Sequence, residues 1–177
     1  MITLIIGPPE SGKSHLAEQM LLDEPYMDRY YIATMKAVDE AGYERIRRHR
    51  AMRAGKGFTT LEIETDIVSA AKLMADPPNS AVLLECAANL TANMMYDPET
   101  YDICRSGEDG ARDFARRAAD KVAALADLVG SLIVVTGVYG PEEADDEETR
   151  LYKTLLDIVN IILRNMADKV IDTGVLQ

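Results

Sequence analysis

The chain opens on an apolar run, Ile2 to Ile6, that stops at Gly7-Pro8-Pro9-Glu10-Ser11-Gly12-Lys13-Ser14. This octapeptide fits G-x-x-x-x-G-K-[ST], the pattern of a loop that cradles phosphate. Such a loop works only where a buried strand ends in a turn of free backbone N–H groups that feeds a helix N-terminus. Both halves are present, because Leu16, Ala17 and Met20 continue behind the loop at helical spacing. Gly7 and Gly12 permit the turn and the close approach of phosphate, Lys13 supplies a point charge for the β- and γ-phosphates, and the Ser14 hydroxyl suits Mg²⁺. A glycine-containing loop that matched by chance would need neither the strand before it nor the helix after it.

Strand and helix patterns then alternate along the chain, as in a mostly parallel sheet flanked by helices. Strands are expected over 2–6, 30–33, 58–63, 81–84, 132–136 and 170–171. Helices are expected over about 13–22, 39–54, 67–74, 111–129 and 149–167, with Gly55 and Gly57 ending the second. Asp76-Pro77-Pro78-Asn79 reads as a turn, and the polar stretch 97–110 as a mobile loop. No repeat or linker divides the sequence, so residues 1–177 are expected to form a single phosphate-loop nucleotide-binding domain, α/β and NTPase-like.

Composition narrows the setting. A net charge of -11 argues against a nucleic-acid partner, since a phosphate backbone needs a basic footprint. Cys86 and Cys104 stand in no metal-ligand or C-x-x-C spacing, and two thiols in a chain of this size fit a reducing compartment. No apolar run approaches bilayer length, and Met1 leads into a strand pattern with no basic n-region before it. The expectation is a cytoplasmic protein with no membrane span.

Two further features carry chemistry. Leu83-Leu84-Glu85-Cys86 ends an apolar strand in a carboxylate, and in phosphate-loop proteins an acid at that edge orients the Mg²⁺ held by the loop hydroxyl. Ser14 and Glu85 are therefore the candidate metal pair, although a strand also ends in an acid simply on reaching water. The run Glu44-Arg45-Ile46-Arg47-Arg48-His49-Arg50-Ala51-Met52-Arg53 places Arg45, His49 and Arg53 on one helical face. Neighbouring guanidinium groups disfavour imidazolium and keep the ring neutral, the form that acts as a nucleophile. A solvated helix whose arginines pair with Asp39, Glu40 and Glu44 is the competing account.

The order of motifs resembles the bifunctional adenosylcobinamide kinase/adenosylcobinamide-phosphate guanylyltransferase family. The likeness runs through Ser11-Gly12-Lys13-Ser14, Tyr31-Ile32-Ala33-Thr34 and Arg45-Ile46-x-x-His49-x-x-x-Arg53. It continues through Phe58-x-Thr60-x-Glu62, where the family usually has Trp in place of Phe58, and Leu83-Leu84-Glu85-Cys86 followed by Asn93. The resemblance implies that His49 attacks the α-phosphate of GTP and carries GMP as a phosphoramidate. It further implies that Gly7 to Ser14 bind nucleotide phosphates, and that Ala33, Thr34, Met35, Arg50, Ala51, Met52, Arg53, Glu62 and Glu85 line the nucleotide site. ATP or GTP as phosphoryl donor, Mg²⁺, a small-molecule corrinoid substrate and a homotrimer follow from the same likeness. His15, the only other histidine, follows Ser14 on the first helix and reads as a packing or surface residue.

The chain also departs from the family pattern. Family loops usually carry Gly and Arg where this one has Pro8 and Glu10, and an Asn-Glu-Val-Gly run stands where Gly137-Val138-Tyr139-Gly140 follows the fifth strand. A Phe-Arg-Asp run is reduced to Leu155-Leu156-Asp157, and an Asn-Gln pair becomes Leu163-Arg164. A phosphate-loop kinase for another small hydroxylated substrate and a non-catalytic nucleotide-binding protein therefore stand as alternatives to the bifunctional enzyme.

Overall fold

A computed structural model describes residues 1–37 and 39–174. Its frame is one six-stranded sheet in the order β3-β2-β4-β5-β1-β6, with every adjacent pair parallel. The strands are β1 (Ile2–Gly7), β2 (Asp28–Ala33), β3 (Thr59–Glu62), β4 (Ser80–Glu85), β5 (Ser131–Gly137) and β6 (Lys169–Asp172). The helices are α1 (Lys13–Asp23), α2 (Glu40–Arg53), α3 (Ala87–Met94), α4 (Tyr101–Cys104), α5 (Gly107–Leu128) and α6 (Glu147–Met166).

Strands β1, β4 and β5 are buried along almost their whole length, as their unbroken apolar runs require of a parallel sheet covered on both faces. One face packs Ile5, Leu83, Ile133 and Val135 against Ala17 and Leu21 of α1. The opposite face packs Leu4, Val82, Leu84, Leu132 and Val134 under α3, α5 and α6, through Leu90, Phe114, Val122, Leu155 and Val159. No described helix is long and apolar enough to cross a membrane.

The expected strands are all present to within two residues at each end. Helix α2 follows the expectation closely: Asp39 caps it by accepting from the Gly42 amide at 2.7 Å, and Gly55 and Gly57 take φ of 75° and 85° beyond its end. Three expectations need correction. The segment 67–74, read as an α-helix, is a 3₁₀ run over Ile67–Leu73 whose buried residues Ile67 and Ala70 lie three apart, the repeat of that helix. Helix α3, absent from the sequence reading, follows β4 directly, with the Cys86 sulfur accepting from the Asn89 amide at 3.4 Å.

The stretch 97–110, read as a mobile loop, is ordered into α4 and the first turn of α5. Its polar side chains hide what anchors it. Thr100 and Cys104 are buried, and the Arg105 guanidinium donates to the Met95 and Tyr101 carbonyls at 3.0 and 3.1 Å. The same group lies 3.8 Å from the Tyr101 ring centroid and pairs with Glu148 of α6 at 2.6 Å.

Beneath the tip of β5, buried Asn160 of α6 accepts from the Thr136 hydroxyl at 2.7 Å and donates to the Gly137 carbonyl at 2.9 Å. Removing that amide orphans two buried groups, each worth about 1–3 kcal/mol. Asn160→Ala should therefore lower unfolding stability by about 2 kcal/mol or more, read as a shifted urea midpoint at unchanged slope. A midpoint equal to wild type would show that water replaces the amide without cost.

Candidate active site

The phosphate loop is the link from β1 to α1. Gly12 caps α1 in the left-handed region at φ 81°, so the chain enters the helix with its first amides free to face an anion. Gly7 is required for a different reason. A β-carbon there would come within 2.0 Å of the Thr173 hydroxyl, which itself bonds the Ser11 hydroxyl at 2.6 Å. Thr173, beyond β6, thus braces the loop, and nothing in the local sequence pattern points to it. Glu10 also takes a left-handed conformation at φ 59°, exposed with Pro8 and Pro9 at the outer turn. The Lys13 ammonium folds back to donate to the Pro8 carbonyl at 2.7 Å.

Parallel pairing brings the end of β4 to the same edge as the loop, and the Ser14 hydroxyl donates to Glu85 Oε1 at 2.9 Å. The second oxygen, Oε2, is shielded from solvent and has no partner. Burial pushes the Glu85 carboxyl up to about 7, against the opposing pull of the Ser14 hydrogen bond and the Lys13 charge. Among the described residues no cluster of three or more His, Cys, Asp or Glu is placed to hold a metal. An ion here would take Ser14 and Glu85 from the protein and the rest of its ligands from phosphate and water, the usual Mg²⁺ arrangement. The orphaned Oε2 and the oxygen-only donor set fit that ion.

Helix α2 supplies the opposite wall. His49 and Arg53 face Glu85 across a cleft that Tyr31, Ala33, Met35, Ile46, Glu62 and Asn89 complete. Arg53 is 7% exposed, yet its charge meets a π face instead of a carboxylate, with the guanidinium 4.4 Å from the Tyr31 ring centroid. Tyr31 in turn stacks on Phe58 at 5.4 Å. The Arg53 Nε–H is buried without an acceptor. The cleft therefore holds an unsatisfied donor and an unsatisfied carboxylate oxygen, the pairing that a phosphate with a bound cation would complete. Partial burial lowers the His49 pKa below its ordinary value, and the charges of Arg53, Arg48 and Arg45 lower it further. Neutral imidazole is the dominant form at pH 7.

Arg50 grips Glu62 with two hydrogen bonds, Nε to Oε1 at 2.6 Å and Nη2 to Oε2 at 2.5 Å, which tie α2 to the end of β3. The pair also lines an adjoining cleft with Ala33 and Met35. Three residues expected around nucleotide are placed elsewhere. Thr34 is fully buried, its hydroxyl exchanging hydrogen bonds with the Cys86 backbone at 2.8 and 2.9 Å, so it fastens β2 to β4 and does not line the cleft. Ala51 and Met52 are exposed on α2 outside the cleft. Asn93 of α3 donates to the Thr34 and Glu64 carbonyls at 2.7 and 2.9 Å and so holds the ends of β2 and β3 together. His15 is exposed on α1 and does not line the cleft. Ile46 and Asn89 line the cleft without having been expected there; Ile46 lies one turn before His49, a spacing that marks it as a neighbour on the same helical face.

Comparison with known proteins agrees with this architecture. A solved ATPase of the type III secretion system of pathogenic bacteria superposes with a TM-score of 0.57 at 11% identity, covering 97% of this chain and 50% of that one. That likeness concerns the fold alone. The bifunctional adenosylcobalamin biosynthesis protein CobU of Salmonella typhimurium is 33% identical over 110 residues, 58% of this chain and 58% of the relative. The protein of the same name from Escherichia coli is 32% identical over 105 residues, 55% of this chain and 51% of the relative. The matched stretch thus spans little more than half the length of these curated relatives. The family model for CobU, cobinamide kinase / cobinamide phosphate guanyltransferase, matches residues 3–174, nearly the whole sequence, and the chain belongs to that family.

Proposed function

We propose that the chain is a bifunctional adenosylcobinamide kinase and adenosylcobinamide-phosphate guanylyltransferase. The observation that carries the reading is that His49 and Glu85 line one cleft, with Glu85 joined to the loop through the Ser14 hydroxyl. A nucleophile facing a carboxylate that is tied to a phosphate-holding loop is what two successive transfers from nucleoside triphosphate require.

In the first reaction the loop amides and Lys13 bind the β- and γ-phosphates, and the acceptor hydroxyl of the corrinoid takes the terminal phosphoryl group from ATP or GTP. Bound Mg²⁺, held by Ser14 and Glu85, would supply neutralisation of phosphate charge. In the second reaction the neutral His49 ring forms an N–P bond to the α-phosphorus of GTP while the α–β bridging bond breaks and pyrophosphate leaves. The corrinoid phosphate then displaces His49 from phosphorus and takes the GMP. Arg53 stands beside the reacting phosphate, and a cation already fixed by stacking on Tyr31 need not reorganise as charge develops. In this reading the chain is a single phosphate-loop domain, cytoplasmic as its composition suggests, and works as a homotrimer, as the family resemblance implies.

With α-³²P-GTP and Mg²⁺ but no corrinoid, the wild-type chain should retain label through denaturation, in a bond that is acid-labile and alkali-stable. His49→Ala should lose the label and His15→Ala keep it. Wild-type protein that takes no label would leave the chain a kinase only, and label persisting in His49→Ala would place the nucleophile elsewhere.

The pH dependence of labelling follows from the direction of the His49 shift. Only the neutral ring attacks, and a pKa below the ordinary value of about 6.5 moves the loss of rate to the acid side of that value. At saturating Mg²⁺, which keeps Glu85 ionised, the falling limb of labelling should be centred below pH 6.5. A falling limb centred at or above pH 6.5 would contradict the surroundings assigned to His49.

For the kinase step, Lys13→Ala should cost about a hundredfold or more in turnover with little change in melting temperature, because the side chain spans an exposed turn. Chelation with EDTA should abolish phosphoryl transfer. Near wild-type turnover in the variant, or full activity in EDTA, would remove the loop or the metal from the mechanism.

A further inference from the structure

The sheet order places β5 between β4, which ends in Glu85, and β1, which feeds the phosphate loop. Whatever the loop and Glu85 hold together must therefore sit in front of the tip of β5. That tip carries no side chain of its own, since β5 ends at Gly137, paired in register with Gly7. Glu85 is paired with Val135, and residues two apart on a strand share a face, so a side chain at position 137 would point to the face that carries Glu85 and α1.

That space is filled from two residues further on. A β-carbon at Gly137 would meet the Tyr139 ring edge at 2.7 Å and its hydroxyl oxygen at 2.8 Å. The phenol thus folds back over the strand end, where only glycine leaves room for it. Its support is rigid. The Val138 amide donates to the Gly7 carbonyl at 3.1 Å, tying this segment to the first residue of the loop. Lys153 of α6 donates to the Gly140 carbonyl at 2.8 Å and to both oxygens of Asp145, at 2.9 and 2.7 Å. The ring rests against Tyr152, centroids 6.1 Å apart. Burial holds the phenol above its ordinary pKa, with Glu85 among the neighbours adding to the shift, so the hydroxyl remains a proton donor across the working pH range.

We propose that Tyr139 is a positioning residue whose hydroxyl donates a hydrogen bond to the terminal phosphate of the nucleoside triphosphate held by the loop. This rests on the reading of Gly7 to Ser14 as a nucleotide-binding loop. A neutral donor at this point suits a site that already carries Lys13 and Arg53, because it discriminates triphosphate from diphosphate without adding charge. It also gives the departure at Gly137-Val138-Tyr139-Gly140 a physical meaning: the glycine vacates the strand end and the tyrosine supplies a hydroxyl there.

The test is the ratio of affinities for α,β-methylene GTP and α,β-methylene GDP, with the adenosine pair in parallel, measured by calorimetry in Mg²⁺. The methylene bridge prevents transfer to His49, so the measurement is independent of guanylylation. Tyr139→Phe keeps the ring and should leave melting temperature and diphosphate affinity unchanged while weakening triphosphate binding about tenfold or more, the loss expected for a hydrogen bond to a charged group. Tyr152→Phe should leave the ratio at its wild-type value. A ratio unchanged in Tyr139→Phe, or lowered equally in Tyr152→Phe, overturns the assignment of Tyr139 alone. Wild-type protein that binds neither pair overturns the nucleotide-binding loop and this proposal with it.

Discussion

All six strands run parallel, so each delivers its C-terminal end to one edge and a crossover joins each to the next. Every chemically loaded group described above stands on that edge or on a helix that starts there. Glu85 closes β4, the loop closes β1, Gly137 closes β5 and Glu62 closes β3. Central strands buried on both faces also make the edge dry, and dryness is what lifts the Glu85 carboxyl to about 7. The geometry that builds the core therefore also sets the electrostatics of the site.

Around that edge the charges are arranged by cost. The chain is acidic overall, but α2 carries Arg45, Arg48, Arg50 and Arg53, of which Arg53 lines the cleft. Arg50 is satisfied by Glu62 and serves to hold the helix. Arg53 is buried against Tyr31 and keeps an unpartnered N–H. A buried cation without its carboxylate is unstable on its own account and is stabilised by an anion that enters the cleft. Partial burial and the charges of Arg53, Arg48 and Arg45 favour the neutral form of His49.

Outside the chemistry, a small number of polar side chains fix the loops at the working edge. Asn93 joins the ends of β2 and β3, Asn160 supports the tip of β5, Thr173 braces the loop from beyond β6, and Lys153 anchors the turn after Tyr139. Each reaches across a large separation in sequence to bond a backbone carbonyl or a loop hydroxyl. Preorganisation of this kind lowers the entropy that ligand binding would otherwise have to supply.

The class of fold, the phosphate loop and the position of the carboxylate are written in local residues: apolar runs, glycines at fixed offsets, an acid at a strand end. The residue pattern also sets His49 among arginines, since helical spacing alone groups Arg45, His49 and Arg53. It did not disclose α3, whose short run of small residues carries little periodicity, or the order in 97–110, where polar composition conceals buried Thr100 and Cys104 and the clamp of Arg105. Tertiary structure alone decided that Thr34 turns inward, that Ala51 and Met52 lie outside the cleft, and that Thr173 and Tyr139 stand beside the loop. Those facts depend on which strand lies next to which and on which face of the sheet a side chain points to. Such contacts join residues far apart in the chain, and local sequence pattern carries no record of them.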